Sequence, residues 1–218
     1  QLDPAAGFLL KADLERRGIR VLTKASTKAI LGHDKVDAVL LEDGTVLDAD
    51  IVVMAVGIRP ETRIATDAGL VVERGIVVND QMLTSDPDIL SLGECVEHDA
   101  VVCGLVAPLY EMAKVAAKTL AGQAAAYKGS ETSTKLKVTG VNLFSAGDFA
   151  EGEGREEIVL RDAARGVYKR LVLQDDRIIG AVMYGDTTDG NWFFSQLKDQ
   201  TNIADMRETL IFGPAFAG

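Results

Sequence analysis

Residues 84–98 (TSDPDILSLGECVEH) carry an apolar stretch into a tight glycine turn with an acid beside it. A glycine at a strand end lets backbone approach a ligand closely, and a neighbouring carboxylate accepts hydrogen bonds from sugar-like hydroxyls. Such a turn suits the finish of a nucleotide-binding fold. That fold also needs a beginning: a strand, a glycine-rich loop, and a helix whose N-terminus grips the diphosphate. Neither G-x-G-x-x-G nor G-x-x-x-x-G-K-S/T occurs in the 218 residues. The nearest candidate, Gly152-Glu153-Gly154, runs into Arg155-Glu156-Glu157. It lacks the third glycine and sets carboxylates where a diphosphate would be repelled, so it reads as a loop turn. The finish is present without the loop, and poor phosphate affinity is expected.

The bulk numbers allow a packed protein. With 47% of residues hydrophobic, a sizeable core is available and disorder is not expected. The formal charge of −10 is spread along the chain, which argues against nucleic acid or an anionic membrane as partner. No apolar run approaches the length of a membrane span, and no secretory signal is present. The two cysteines, Cys95 and Cys103, form no C-x-x-C and no four-cysteine ladder. A disulfide framework, a zinc site and an iron–sulfur cluster built from this chain are therefore not expected, and a reducing, cytoplasmic setting is. The chain opens at Gln1, already at a helix start, and is expected to be an excerpt of a longer polypeptide.

Local signals divide the chain. Asp3-Pro4 opens a helix that Gly18 closes, and residues 19–22 read as a buried strand. Residues 38–41 and 45–47 flank Glu42-Asp43-Gly44, a hairpin turn. Residues 51–56 (IVVMAV) have the continuous β-branched pattern of a central strand buried on both faces. Residues 61–68 suggest a short helix before Gly69, and residues 76–78 and 89–92 suggest short strands. Pro108 opens an alanine-rich helix over 109–120, stopped by Gly122. Residues 128–133 (KGSETS) read as a linker. Beyond it, residues 135–143, 157–160, 168–173 and 178–184 read as strands, with a turn over 174–177. Residues 191–197 and 204–210 read as short helices, completing a small α+β domain.

Several stretches in this order carry a resemblance. They are Leu2-Asp3-Pro4-Ala5-Ala6-Gly7, the segment from Val53 through Gly57-Ile58-Arg59-Pro60, residues 84–94, and the Ala107-Pro108 helix start. Together they resemble the FAD-dependent pyridine-nucleotide oxidoreductases of the glutathione-reductase type. The Gly93-Glu94-Cys95 variant is similar to the large-subunit family of NAD(P)H-dependent nitrite reductases. So are Phe144-Ser145-Ala146-Gly147-Asp148 and Leu210-Ile211-Phe212-Gly213-Pro214. The resemblance implies a fold of mixed α/β and α+β class: partial FAD and NAD(P)H domains lacking their first βαβ units, then a small α+β third domain. Residues 1–57 would be the later part of the NAD(P)H-binding domain, 58–130 the later part of the FAD-binding domain, and 131–218 the third domain. Both phosphate loops would precede Gln1. The parent enzyme would move electrons from NAD(P)H through FAD toward iron–sulfur and siroheme centres lying outside this chain, where nitrite is reduced. The excerpt itself would bind no cofactor and be inactive.

The resemblance also assigns residues. Gly93 and Glu94 would stand where the family holds the flavin ribityl chain, glutamate reaching one methylene further than the family's aspartate. The bland alternative is an exposed strand-end turn. Ala107, Pro108 and Leu109 would open the helix whose N-terminus faces the flavin pyrimidine edge, where free N–H groups suit a reduced, anionic ring. The alternative there is an ordinary surface helix. Gly57 would allow close backbone approach at the crossover between domains, while Arg59 is equally a solvated charge. No residue stands out as a catalytic acid, base or nucleophile. Cys95 reads as a small buried side chain, His33 and His98 as isolated, and Trp192-Phe193-Phe194 as core, so no metal site is expected.

Two other readings stay open. One is an NADH-dependent reductase of rubredoxin or a similar carrier. The other is a cofactor-free structural or interaction module. A sheet deprived of its first strands would also expose apolar faces and unpaired edges, so the excerpt is expected to self-associate.

Overall fold

The computed structural model describes residues 1–138 and 140–216. The helix opened by Asp3 is α1, Pro4–Arg16. Its first turns group with residues 59–216, whereas Lys11–Ile58 forms a separate compact unit.

That smaller unit holds a three-stranded antiparallel meander of β1 (Thr27–Leu31), β2 (Ala38–Leu41) and β3 (Val46–Asp48). The β2–β3 turn forms where Glu42-Asp43-Gly44 predicts it. Gly44 takes φ +87°, and the Asp43 carboxylate accepts the Thr45 N–H at 2.9 Å. The Thr45 N–H first, and the Thr45 hydroxyl second, hold the Asp43 carboxyl below the usual carboxylate range. Two expected strands do not form ladders. Residues 19–22 are irregular, with Ile19 and Leu22 exposed. Residues 51–56 join no sheet among the described residues, and all but the half-buried Val52 are exposed: Ile51 81%, Val53 80%, Met54 76% and Val56 90%. The β-branched pattern is that of a two-sided strand, but the described residues supply no neighbour to pair with it or cover it.

The larger unit contains α2 (Arg63–Asp67), closed by Gly69 at φ +77° as its sequence predicts. A small mixed sheet follows, in the order β4 (Ile76–Val78), β5 (Val96–His98), β6 (Val101–Val102). β4 runs parallel to β5, and β5 antiparallel to β6. The strand expected over residues 89–92 makes only a Leu83–Leu90 bridge, and the ladder begins three residues after Gly93. The long helix α3 is Val106–Leu120. Gly122 stops it at φ +68°, with Gly122 N–H to Thr119 O and Gln123 N–H to Lys118 O. Met112 and Ala116 of α3 pack on Val78, Met82, Val96 and Tyr127.

The region after the linker is a five-stranded antiparallel sheet in the order β7-β8-β11-β10-β9. Its strands are β7 (Ser133–Val138), β8 (Val141–Gly147), β9 (Glu156–Asp162), β10 (Val167–Gln174) and β11 (Arg177–Tyr184). The run expected as one strand over 135–143 is thus the β7–β8 hairpin, whose Thr139 lies outside the described residues. Period-two alternation gives the sheet two apolar faces. Phe144, Leu171, Ala181 and Met183 pack against α4 (Gly190–Lys198) and the 3₁₀ turns at Ala204–Met206 and Leu210–Phe212. On the other face Leu143, Tyr168, Val182 and Tyr184 pack against Leu2, Ala5, Ala6 and Leu9. The fold is α/β with a mixed sheet, joined to an α+β sheet module.

Candidate functional site

The β5–β6 hairpin brings most of the predicted site residues to one place. Its register pairs Glu97 with Val102 and His98 with Val101. Gly93 and Glu94 lead into β5, and Leu105 to Ala107 lead out of β6, so both stretches stand at the same end of the hairpin. Gly93 takes φ +105°, and a Cβ there would meet open space. Only the backbone conformation demands glycine. The Glu94 side chain is exposed and makes no hydrogen bond or ion pair among the described residues.

Helix α3 begins two residues earlier than Pro108 predicts. Leu105 is the N-cap at φ −114°, ψ 141°, and no side chain caps it. Pro108 is therefore the third helical residue, at a position whose N–H would have no intrahelical acceptor, so its missing donor costs no hydrogen bond. The free amides are those of Val106 and Ala107. The Leu109 side chain packs into the core with Met112. Gly57 lies in the Lys11–Ile58 unit, exposed at φ +99°.

A cavity of about 500 Å³ opens beside the α3 N-cap, lined by Cys103, Gly104, Leu105, Met112, Tyr127 and His98 among others. At its far end the Tyr127 and Ser130 hydroxyls lie 3.0 Å apart, and Ser130 also donates to the Glu111 carboxylate. Burial pushes the Tyr127 hydroxyl up, against the Ser130 hydrogen bond. His98 is buried between two acids: Nε2 is 2.9 Å from Asp80 Oδ1, and Nδ1 is 3.8 Å from Asp99 Oδ2. The two carboxylates face different ring nitrogens, an arrangement that clamps the imidazole. His98 was read as isolated; its partner Asp80 is 18 positions earlier in the chain, beyond any local spacing signal.

Sequence reasoning also passed over Glu97. It is 3% exposed and accepts the N–H groups of Arg74 at 2.8 Å and Gly75 at 3.0 Å. Burial pushes its carboxyl up, but those two amides and the Arg74 guanidinium outweigh burial and hold it below the usual range. A second buried polar group lies on the five-stranded sheet. Asp3 caps α1 by accepting the Ala6 N–H at 2.9 Å, and its other oxygen accepts the Tyr168 hydroxyl at 2.5 Å. Arg170 reaches the same oxygen at 3.4 Å and Glu157 at 2.5 Å.

The donor set at the hairpin end can be matched to a ligand. Two uncapped helix amides suit the electron-rich edge of a heterocycle, and an unpartnered exposed carboxylate suits ribityl hydroxyls. These groups fit the flavin and ribityl end of FAD. They do not fit its diphosphate, which the Glu94 charge would repel and for which this sequence has no glycine-rich loop.

Comparison with known proteins gives the family. Residues 1–119 match the model of the pyridine nucleotide-disulphide oxidoreductases, and residues 133–201 match that of the rubredoxin NAD+ reductase C-terminal domain. The chain belongs to the pyridine nucleotide-disulphide oxidoreductase family. Within it, the chain is 46% identical over 215 residues to the NAD(P)H nitrite reductase of Bacillus subtilis (strain 168), covering 98% of this chain and 27% of that protein. It is 38% identical to the nitrite reductase (NADH) large subunit of Escherichia coli (strain K12), covering all of this chain and 26% of that one. Among solved structures, an FAD-dependent pyridine nucleotide-disulphide oxidoreductase from Desulfovibrio vulgaris superposes with a TM-score of 0.77 at 26% identity, over 97% of this chain and 57% of that one. The chain thus spans about a quarter of the length of these nitrite reductases. No described helix is long and apolar enough to cross a membrane.

Proposed function

We propose that this chain is part of the flavin-dependent NAD(P)H oxidoreductase module of a cytoplasmic nitrite reductase large subunit. Residues 1–57 are the later part of its NAD(P)H-binding domain, 58–130 the later part of its FAD-binding domain, and 131–218 its third domain. The observation that carries this reading is the near-complete cover of the chain by the two nitrite reductases, combined with the donor set at the β5–β6 hairpin end. Bound FAD would supply the hydride-accepting and one-electron chemistry of the module. The chain's own residues hold and orient it. Gly93 keeps the turn clear of side chain, Glu94 accepts hydrogen bonds from the ribityl hydroxyls, and the Val106 and Ala107 amides face the pyrimidine edge. Pro108 and Leu109 fix that helix start in the core, and Gly57 keeps the crossover between the two cofactor domains open. Iron–sulfur and siroheme centres, and nitrite reduction itself, belong to the remainder of the longer polypeptide. By itself the chain retains no FAD and is inactive.

The test uses the full-length reductase. Glu94→Ala lowers its FAD content after desalting, and added FAD restores NAD(P)H oxidation with a raised flavin requirement. Unchanged flavin retention and activity in that variant would remove Glu94 from the site.

A second reading is supported by the match of residues 133–201 to the C-terminal domain of rubredoxin NAD+ reductase. Under it, the longer protein passes electrons to a small carrier protein. NAD(P)H-dependent turnover of nitrite against turnover of rubredoxin by the full-length protein separates the two.

A further inference from the structure

Glu94 makes no hydrogen bond or ion pair among the described residues, so the backbone of residues 93–97 alone decides where its carboxylate stands. That backbone is fastened by the turn ahead of β4. Ile76 donates its N–H to the Cys95 carbonyl at 2.8 Å, and Val96 donates to the Gly93 carbonyl at 3.3 Å. The buried Glu97 carboxylate accepts the N–H groups of Arg74 and Gly75. Gly75 is thereby pressed against β5. A Cβ there would lie 2.8 Å from the Val96 carbonyl carbon, 2.9 Å from the Glu97 nitrogen and 3.0 Å from the Cys95 oxygen. All three are strand backbone atoms, which cannot swing aside as the end of a side chain would. The φ of Gly75 is not left-handed, so glycine is needed there for space and not for conformation. Gly93 is the opposite case, with φ +105° and open space around a Cβ.

We propose that Gly75 is a positioning residue for Glu94. Its bare Cα lets the start of β4 close onto the Cys95–Val96 peptide, and the two amides held by Glu97 lock that approach. A methyl group at Gly75 has to push the peptide away, because contacts this short lie well inside van der Waals range. Glu94 precedes that peptide by one residue, so its carboxylate moves with it. Hydrogen bonds to ribityl hydroxyls depend steeply on distance and angle, and a displaced acceptor loses them. This role rests on the flavin reading above and gives Gly75 no contact with FAD itself. It supplies what aims the ribityl acceptor.

A double-mutant cycle on the flavin-depleted full-length reductase tests it, with FAD titrated in and read by quenching of flavin fluorescence. Gly75→Ala raises the FAD dissociation constant about tenfold by itself, and by less than about twofold when Glu94→Ala is already present. Glu97→Gln loosens the grip on Gly75 without adding volume. It acts in the same direction, also loses its effect beside Glu94→Ala, and carries the test if Gly75→Ala does not fold. Gly180→Ala, in the five-stranded sheet, lowers stability and leaves the FAD constant unchanged. An equal loss with and without Glu94 would mean that Gly75 supports the fold and not Glu94, which overturns the proposal and leaves the flavin reading intact. A Gly75→Ala protein that binds FAD as tightly as wild type overturns it equally. If Glu94→Ala alone leaves FAD binding unchanged, the flavin reading itself fails and the role of Gly75 falls with it.

Discussion

Tyr168 and Glu97 show how much is staked on single buried polar groups. Tyr168 is 2% exposed, and its hydroxyl donates to Asp3 at 2.5 Å. Burial first, and the Asp3 carboxylate second, push that hydroxyl far above its ordinary range, so it stays a donor at any working pH. Tyr168→Phe leaves Asp3 buried with one donor fewer, and denaturant unfolding should show a loss of about 1–3 kcal/mol. Glu97 behaves oppositely. Its carboxyl is held below the ordinary value, so its contribution to stability is complete above about pH 4.5, the unfolded value, and is lost as pH falls through the lower folded one. Glu97→Gln should therefore lower the melting temperature at neutral pH, and the gap to wild type should narrow as the solution is acidified below the unfolded value. A gap that stays constant over that range would mean the charge of Glu97 does not matter.

Among the elements, those governed by local chemistry were legible and those governed by distant partners were not. Asp43 and Gly44 specify their own turn, and Gly69 and Gly122 end helices by adopting a conformation that costs other residues more. The start of α3 was misplaced because Pro108 is permitted at several first-turn positions, so proline alone does not number them. Residues 51–56 carry the composition of a central strand, yet pairing is a property of neighbours, and composition cannot supply them. Gly93 and Ala107 stand out in the sequence because a glycine turn and a helix start are set by local chemistry. The clamp of Asp80 and Asp99 on His98 does not, because it arises where β5 passes the turn before it. Gly180 belongs to this second kind. The β10–β11 register slips after Val172, leaving Ile179 bulged, and the Asp148 N–H uses the Ile179 carbonyl at 2.8 Å. A Cβ at Gly180 would lie 2.3 Å from the Asp148 carbonyl oxygen. Gly180→Ala should force the bulge apart and cost about 1–3 kcal/mol, read as a lowered unfolding midpoint.

For the whole molecule, the five-stranded sheet raises the question of what covers its second face. Residues 1–10 do so: Leu2, Ala5, Ala6 and Leu9 lie over Leu143, Tyr168, Val182 and Tyr184, and Asp3 meets Tyr168 and Arg170 at their edge. A sheet with one apolar face open is soluble only if something lies on it, and here the cover comes from the opposite end of the chain. Ordering that cover closes a loop of well over a hundred residues, but closure entropy grows only logarithmically with length, so the separation itself is a small penalty. The larger effect of removing the cover is local. Deleting residues 1–10 would bare four large side chains, and leave Arg170 with Glu157 as its remaining carboxylate partner. The shortened chain should bind a hydrophobic dye such as ANS and melt at a lower temperature, and adding back a peptide of residues 1–16 in excess should reverse both changes by mass action. Replacing Asp3 by alanine in that peptide should weaken the rescue, since the helix cap and the Tyr168 contact go together. If the shortened chain melts with the intact one and binds no dye, the second face is covered by something other than residues 1–10.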